Sequence, residues 1–367
     1  MKELFELTEE FASKIVEIEN IRKKVGNFLR EVSKFNLSID REILEEKIIQ
    51  AMEKISLDDL CVAGIDGGLV SHSFHGIDVM LLRAVGVIFY FKNSKIKKVD
   101  YWPDSLPSFV PRVIFDPFTD IELEVNSNFE RQIVEVKNAV EVIRNFKPDI
   151  VFLDGSIVPH YVERPVEHSM LFPTYQKLLE SYLELFYEAE RNETILAGII
   201  EDSRGTRFCE IANQRILSRL KEIEPEIKLL LNRTIDSNLL TYTLNLGERT
   251  LVFKYSSFPE QHPILKEFGG KIANSIFSFY LKTAEFDRPI RVDFLGEKEF
   301  IKKANFISSV ILALCGHSNY GIPSVLIEAD QRARLSEKDL EIFYNDLVAK
   351  TGNLAALFLQ RREQRPF

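Results

Sequence analysis

The sequence is poor in the residues and motifs that several protein classes require. It has three cysteines, Cys61, Cys209 and Cys315, which lie far apart with no C-x-x-C pair. This spacing argues against a zinc ribbon or a disulfide framework. No window reaches the roughly 18 uninterrupted apolar residues of a membrane span, and the N-terminus lacks the apolar core of a signal peptide. These absences predict a protein of the reducing cytoplasm with no membrane partner.

Several catalytic signatures are also missing. The sequence has no G-x-x-x-x-G-K-[ST] and no G-x-S-x-G, and its six histidines form no H-x-x-x-H pattern. A P-loop ATPase, a serine hydrolase elbow and a helical zinc site are therefore not expected.

Positive charge is scarce as well. Lysine and arginine number 47 against 56 aspartates and glutamates, so the net charge is -9. Such a balance argues against a broad basic surface that coats duplex DNA. It is compatible with an enzyme that handles nucleic acid in a narrow channel with help from a partner. A carboxylate cluster built for divalent metal would shift the charge in the same direction.

Apolar residues at steps of three or four predict one long amphipathic helix over residues 4–32. It either lies on its own domain or contacts a second copy or a partner, since the stripe is close to heptad spacing. A second helix is predicted from the Ser38–Asp40 cap to about Lys54. We take residues 1–58 as an N-terminal helical arm.

The rest of the chain predicts an α/β fold. A short strand over 61–65 is followed by Asp66-Gly67-Gly68 and a further extended stretch through Phe74. With strands over 77–91 and 96–102 and turn residues between them, this indicates an antiparallel meander. A helix over 128–146 then leads to a strand over 149–153. Three antiparallel strands, a helix and a further strand are the opening topology of the ribonuclease H-like fold, a mixed sheet with helices on both faces. Later predicted elements are a helix over 173–191, a strand over 195–200, a hairpin over 239–255 and a strand over 290–294.

Two aspartates carry the strongest chemical signal. Asp66 follows the apolar run VAGI and precedes two glycines, and Asp154 follows IVFL and precedes Gly-Ser. A carboxylate next to a buried run is costly unless it is paired, hydrogen-bonded or bound to metal. A single such aspartate is often only a turn former. Two on neighbouring strands predict a functional site.

Further acids are candidates for the same site. The helix before the second aspartate offers Glu130, Glu135 and Glu141, of which Glu135 shares a stripe with Ala139 and Val142 and can lean toward the sheet. A solvated helical glutamate is the competing interpretation.

Near the C-terminus, Asp330 precedes Arg332 and Arg334, and the loop after residue 200 contains Arg204 and Arg207. We predict Asp330 as a fourth metal-binding acid and the four arginines as DNA-phosphate contacts. An ordinary charged helical face and a solvated turn are the alternatives.

These stretches, taken in order, resemble the NurA family, nucleases of DNA end resection that work with the hexameric HerA translocase. The matching segments span most of residues 60–340: VAGIDGGLVSHSF, the helix containing Glu135, IVFLDGSIVP, AGIIEDSRGTRF and GIPSVLIEADQRARLS. GIDGG and LDGS are short and only moderately specific, whereas the ordered set is much stronger.

The resemblance implies a ribonuclease H-like nuclease domain over 59–345, followed by a C-terminal helix or tail over 346–367. It implies a homodimer that docks on HerA and degrades single- and double-stranded DNA as a 5′–3′ exonuclease and endonuclease. Asp66, Glu135 and Asp154 match the family's ligands for one or two Mn²⁺, with Mg²⁺ as a substitute. The family commonly has Gly-Tyr-Pro and then Ala-His, where this chain has Gly321-Ile322-Pro323 and then Ala329-Asp330. Aspartate is a good ligand for hard cations, so the site can survive this change.

Two other functions compete with a nuclease. GIDGG also resembles the first phosphate loop of the sugar-kinase and actin-like ATPases, but the C-terminal half has no second glycine-rich turn. The second is a non-catalytic subunit that docks on a translocase and shapes its DNA channel. The loss of the tyrosine and histidine favours it, and the retained acids argue against it.

Overall fold

The computed structural model describes residues 2–115, 118–160, 163–219 and 225–352. Two compact units divide the chain. The first unit comprises Met1–Ser56, Ala197–His262 and Gly269–Ser324. The second comprises Leu57–Leu196, Pro263–Phe268 and Val325–Phe367. Part of the predicted tail, residues 353–367, lies outside the described residues.

The strands and helices of the described residues follow in chain order. The strands are β1 (Ile49–Ala51), β2 (Cys61–Ser73), β3 (Asp78–Lys92), β4 (Lys95–Trp102), β5 (Val110–Ile114), β6 (Ile150–Asp154), β7 (Ile195–Ile200), β8 (Glu248–Thr250), β9 (Phe253–Lys254), β10 (Ile276–Leu281) and β11 (Ile290–Leu295). The α-helices are α1 (Lys2–Val32), α2 (Asp120–Phe146), α3 (Phe172–Arg191), α4 (Arg207–Ile211), α5 (Pro225–Leu231), α6 (Asp236–Leu240), α7 (Gly270–Ala273), α8 (Phe300–Leu314), α9 (Ser324–Ala333) and α10 (Glu337–Thr351). Among these helices, none has the length and apolar character that crossing a membrane requires.

The first unit contains the predicted long helix, α1. Val25 and Leu29, near its C-terminal end, are fully buried in the core of this unit. Toward the N-terminal end, Phe5, Phe11 and Ile15 are exposed. The apolar stripe therefore packs over its C-terminal part only.

The second predicted helix, over 38–54, is wrong. The chain from residue 38 to residue 48 is irregular and then forms β1. Asp40 Oδ1 accepts hydrogen bonds from the amides of Glu42 and Ile43, as at a helix start, but no helix follows. Instead the Glu45 carboxylate binds the buried Arg249 guanidinium at 2.7 and 2.8 Å. Tertiary ion pairing therefore overrides the local helical signal.

The sheet of the first unit runs in the order β1-β8-β10-β11-β7, with antiparallel pairs throughout. The strand β10 was not predicted from sequence, although all six of its residues are buried. The predicted hairpin over 239–255 is wrong, because β8 pairs with β1 and β10, and β9 pairs with β10. Leu239 and Leu240 belong to α6 and lie in the core.

The sheet of the second unit confirms the predicted ribonuclease H-like topology. Its order is β6-β2-β3-β4, in which β2, β3 and β4 are antiparallel and β6 is parallel to β2. The strand β5 pairs with β3 beyond the end of β4. The crossover helix α2 starts at Asp120, eight residues before the predicted start, because Thr119 and Glu122 form a capping box.

Candidate functional site

The register of β2 and β6 brings Asp66 and Asp154 together. The last parallel pair of the ladder is Ile65 with Leu153, so the two aspartates are the next residues on their strands. Asp154 ends β6, as predicted. Asp66 does not end a strand, because β2 continues to Ser73 by pairing with β3. The site therefore lies where the parallel ladder stops and β2 runs on.

Glycines around Asp66 let helices approach both faces of β2. Alternation along a strand places Gly64, Asp66 and Gly68 on one face and Gly67 on the other. A Cβ atom on Gly64 would lie 2.8 Å from the Val325 carbonyl oxygen, and one on Gly68 would lie 2.0 Å from that of Ala333. These contacts are with α9.

On the opposite face, a Cβ atom on Gly67 would lie 3.1 Å from Glu135 Oε2 of α2. The segment Gly-Ile-Asp-Gly-Gly thus positions one aspartate between two helices.

Asp66 is 5% exposed and is tied to its neighbours. Its Oδ1 accepts a hydrogen bond of 2.6 Å from the Gly67 amide, and its carboxyl hydrogen-bonds that of Asp154. Burial raises the pKa of Asp66, and the Asp330 carboxylate raises it further against the lowering effect of the Gly67 amide. The two aspartate carboxyls therefore lie next to each other where the parallel ladder ends.

Glu135 joins this pair from α2. It is 4% exposed, and its Oε2 accepts a hydrogen bond of 3.0 Å from Arg131 Nη1, one turn earlier on the helix. Burial raises the pKa of Glu135 well above 4.5, with Asp66 and Asp154 adding to the effect and the Arg131 charge opposing it. Glu135 is therefore a buried acid within electrostatic reach of both aspartates, and not a solvated helical residue.

Asp330 approaches Asp66 from α9, on the face of β2 that carries the two helix-contacting glycines. Its side chain is exposed, and its carboxylate raises the pKa of Asp66. The structure thus places all four predicted acids, Asp66, Glu135, Asp154 and Asp330, in the second unit. We call these four residues the acid cluster.

The arginines predicted to contact phosphate have different surroundings. The Arg332 guanidinium is 2.8 Å from Glu328 and lies over the Tyr101 ring, while the Tyr101 hydroxyl donates to the same glutamate at 2.9 Å. This set joins α9 to β4. Arg334 is exposed just beyond α9.

Arg204 and Arg207 belong to the first unit. Arg204 is exposed, and Arg207 forms ion pairs with the Glu42 and Glu210 carboxylates. Their role in phosphate binding stays a prediction.

Sequence reasoning missed three features of the site. Arg131 lies four residues before Glu135, a spacing that predicts an ion pair on a helix. Tyr101 and Glu328 are joined only in three dimensions. The glycines at 64 and 68 bracket Asp66 at intervals of two residues, a pattern visible in the sequence whose meaning depends on α9.

The donor chemistry of the acid cluster fits a hard divalent cation. Carboxylate oxygens are the ligands that such ions prefer, and a cation would offset both the burial and the mutual repulsion that raise the pKa values of Asp66 and Glu135. Across the described residues, no group of three or more His, Cys, Asp or Glu side chains is already arranged to hold an ion. One oxygen of Glu135 is bonded to Arg131 and one oxygen of Asp66 to the Gly67 amide, so the second oxygen of each carboxylate is the one that would face an ion.

Comparison with known proteins decides the family. The model of the NurA domain matches residues 61–335 of this chain. The chain belongs to the NurA family. The matched region contains the whole acid cluster, and it includes residues of both units. Comparison with curated proteins found no matching sequence.

Solved NurA structures share the fold of this chain. The NurA nuclease from Sulfolobus solfataricus is 16% identical with a TM-score of 0.61, over 96% of this chain and 99% of that chain. A NurA structure with bound dAMP and manganese is 13% identical with a TM-score of 0.55, over 96% and 99%. At these identities the likeness shows the NurA fold alone.

Proposed function

We propose that this chain is a metal-dependent deoxyribonuclease. The observation that carries the proposal is the meeting of Asp66, Glu135 and Asp154 where the β2–β6 ladder ends, with Asp330 brought up by α9. Family membership supports a nuclease, and the NurA structure with dAMP and manganese supports a nucleotide and a divalent ion at this fold.

In this proposal each of the four acidic residues has its own role. Asp66 and Asp154 would hold the ion, because their carboxyls are neighbours at the point where the β2–β6 ladder ends. Glu135 adds a buried carboxylate from α2, and the exposed Asp330 closes the site in the position of the family's histidine. A bound divalent ion supplies an activated water and polarises a phosphate oxygen. The four carboxylates fix where this chemistry takes place.

The finer parts of the proposal come from the resemblance to the family. We expect Mn²⁺ to be preferred, with Mg²⁺ as a substitute and one or two ions per site. We expect 5′–3′ exonuclease and endonuclease activity on single- and double-stranded DNA. The setting would be DNA end resection in double-strand break repair, in the cytoplasm, as a homodimer bound to a HerA-type hexameric ATPase. The net charge of -9 supports the need for a partner that grips DNA.

The test is cleavage of 5′-labelled linear duplex and single-stranded DNA with Mn²⁺, Mg²⁺ or EDTA. We expect degradation that stops with EDTA and in Asp66→Asn and Asp154→Asn. The matched control is Asp346→Asn, the same change at a side chain 60% exposed on α10. Full activity in Asp66→Asn would overturn the assignment.

If the isolated protein is silent, the assay is repeated with the HerA-type partner and ATP. Activity only in the complex supports a partner-dependent nuclease. Continued silence, together with weak Mn²⁺ binding, would favour the non-catalytic subunit.

A further inference from the structure

Arg131 is a cation built into the acid cluster. It lies on α2 one turn before Glu135, with its side chain 28% exposed. Its Nη1 atom donates to Glu135 Oε2 at 3.0 Å and to the Gly67 carbonyl oxygen at 3.4 Å. An arginine stays charged under all ordinary conditions. A full positive charge therefore lies close to the buried carboxyls of Asp66 and Glu135.

The two bonds of Arg131 fix one end of the Glu135 carboxylate. Glu135 has three side-chain torsions, and its Oε2 is tied to the backbone of β2 through the guanidinium. The stem of Arg131 packs on Gly67, where a Cβ atom would lie 3.4 Å from Arg131 Cγ. A larger residue than glycine at position 67 would crowd both Arg131 and Glu135. The strand, the arginine and the glutamate thus form one packed unit.

We propose that Arg131 is a positioning residue that holds Glu135 Oε2 against β2, so that the carboxylate offers its other oxygen to a divalent ion at Asp66 and Asp154. This inference rests on the proposed function. Arg131 acts through Glu135 and contacts neither ion nor substrate. If Arg131 only repelled cations, its removal would strengthen metal binding. If it positions Glu135, its removal weakens metal binding, so the direction of the change in affinity distinguishes the two roles.

The experiment measures Mn²⁺ binding to the full chain without DNA, from the loss of the free-ion signal in electron paramagnetic resonance. We expect Arg131→Gln to weaken Mn²⁺ binding about tenfold, the lower end of the range for partners of metal ligands. Arg131→Lys keeps the charge and is expected to restore most of the affinity. The control Lys137→Gln removes the same charge from an exposed site on α2 and is expected to bind like the wild type.

A double-mutant cycle shows whether Arg131 acts through Glu135. In the Glu135→Gln background, Arg131→Gln is expected to cause no further loss of Mn²⁺ affinity. Full additivity of the two losses, or tighter Mn²⁺ binding by Arg131→Gln, would overturn the inference. If Arg131→Gln does not fold, as seen by near-ultraviolet circular dichroism, Arg131→Met, which also lacks the guanidinium, is taken through the same cycle.

Failure of this inference differs from failure of the proposed function. If the wild type binds no Mn²⁺, or Asp66→Asn binds it unchanged, the metal site itself is refuted. If Asp66→Asn abolishes binding and Arg131→Gln leaves it at the wild-type value, only the role of Arg131 is refuted.

Discussion

Replacing Gly68 by alanine is expected to displace α9 from β2. The new Cβ atom would lie 2.0 Å from the Ala333 carbonyl oxygen and 2.8 Å from its carbon. Non-bonded carbon atoms do not approach to such distances, and the obstructing atoms belong to the backbone. The C-terminal end of α9 must therefore move by about 1 Å or more, a forced overpacking that typically costs about 1–3 kcal/mol.

The displacement would also reach the acid cluster, because Asp330 is three residues before Ala333 on the same helix. A misplacement of about 1 Å can reduce catalysis about 100-fold. We expect Gly68→Ala to lose about 10- to 100-fold in metal-dependent cleavage. For a folded unit of this size, a loss of about 2 kcal/mol corresponds to a fall of about 4–8 °C in the melting temperature.

Two further alanine variants calibrate the assay. Gly64→Ala meets the Val325 carbonyl oxygen at 2.8 Å and is expected to show a smaller loss of stability and activity. Gly316→Ala meets nothing within 4 Å and is expected to match the wild type. Melting is followed by circular dichroism, and cleavage is measured on labelled DNA. Wild-type stability and activity in Gly68→Ala would refute the close approach of α9.

Three other outcomes test the site. Burial raises the pKa of Glu135 above 4.5, so the folded state binds this proton more tightly than the unfolded state, and wild-type stability falls as pH rises through that raised value. In EDTA, the melting temperature of Glu135→Gln should therefore equal that of the wild type near pH 4 and exceed it at pH 8. The same difference in melting temperature at both pH values would contradict this. In the proposed site Mn²⁺ would displace protons from Asp66 and Glu135, whose pKa values burial raises. The rise in melting temperature caused by Mn²⁺ should then increase from pH 5 to pH 8 in a thermal-shift series, and a rise independent of pH would argue against proton displacement. Tyr101→Phe removes the hydrogen bond to Glu328, and we expect a loss of about 1 kcal/mol and a several-fold fall in cleavage, whereas unchanged cleavage would show that Asp330 does not depend on this contact.

The sequence predicts the second unit better than the first for a physical reason. The strands of the meander are long, separated by short turns and formed from strong apolar runs, so local pattern and tertiary pairing agree. In the first unit, residues 38–48 carry a helix-start signal at Asp40 that a buried ion pair between Glu45 and Arg249 overrides. No local pattern reports a partner that lies two hundred residues away.

In the candidate site, too, some residues can be predicted from the local sequence and others depend on tertiary packing. Asp66 and Asp154 are visible in the sequence because a charge beside a buried run is unusual wherever it occurs. A buried Glu135 was one of two interpretations of the sequence, and only the packing of α2 against Gly67 decides between them. The Tyr101–Glu328–Arg332 set was invisible, because β4 and α9 come together only in the folded chain.

The order of the acid cluster along the chain has a consequence for protein synthesis. Asp66 is synthesised first, Glu135 and Asp154 follow, and Asp330 on α9 is the last of the four. Until α9 is made, the face of β2 at Gly64 and Gly68 has no helix to cover it, and the cluster lacks its fourth carboxylate. A nascent or truncated chain that ends before Ser324 therefore holds an incomplete centre. The four carboxylates can therefore come together only after the α9 segment has been synthesised.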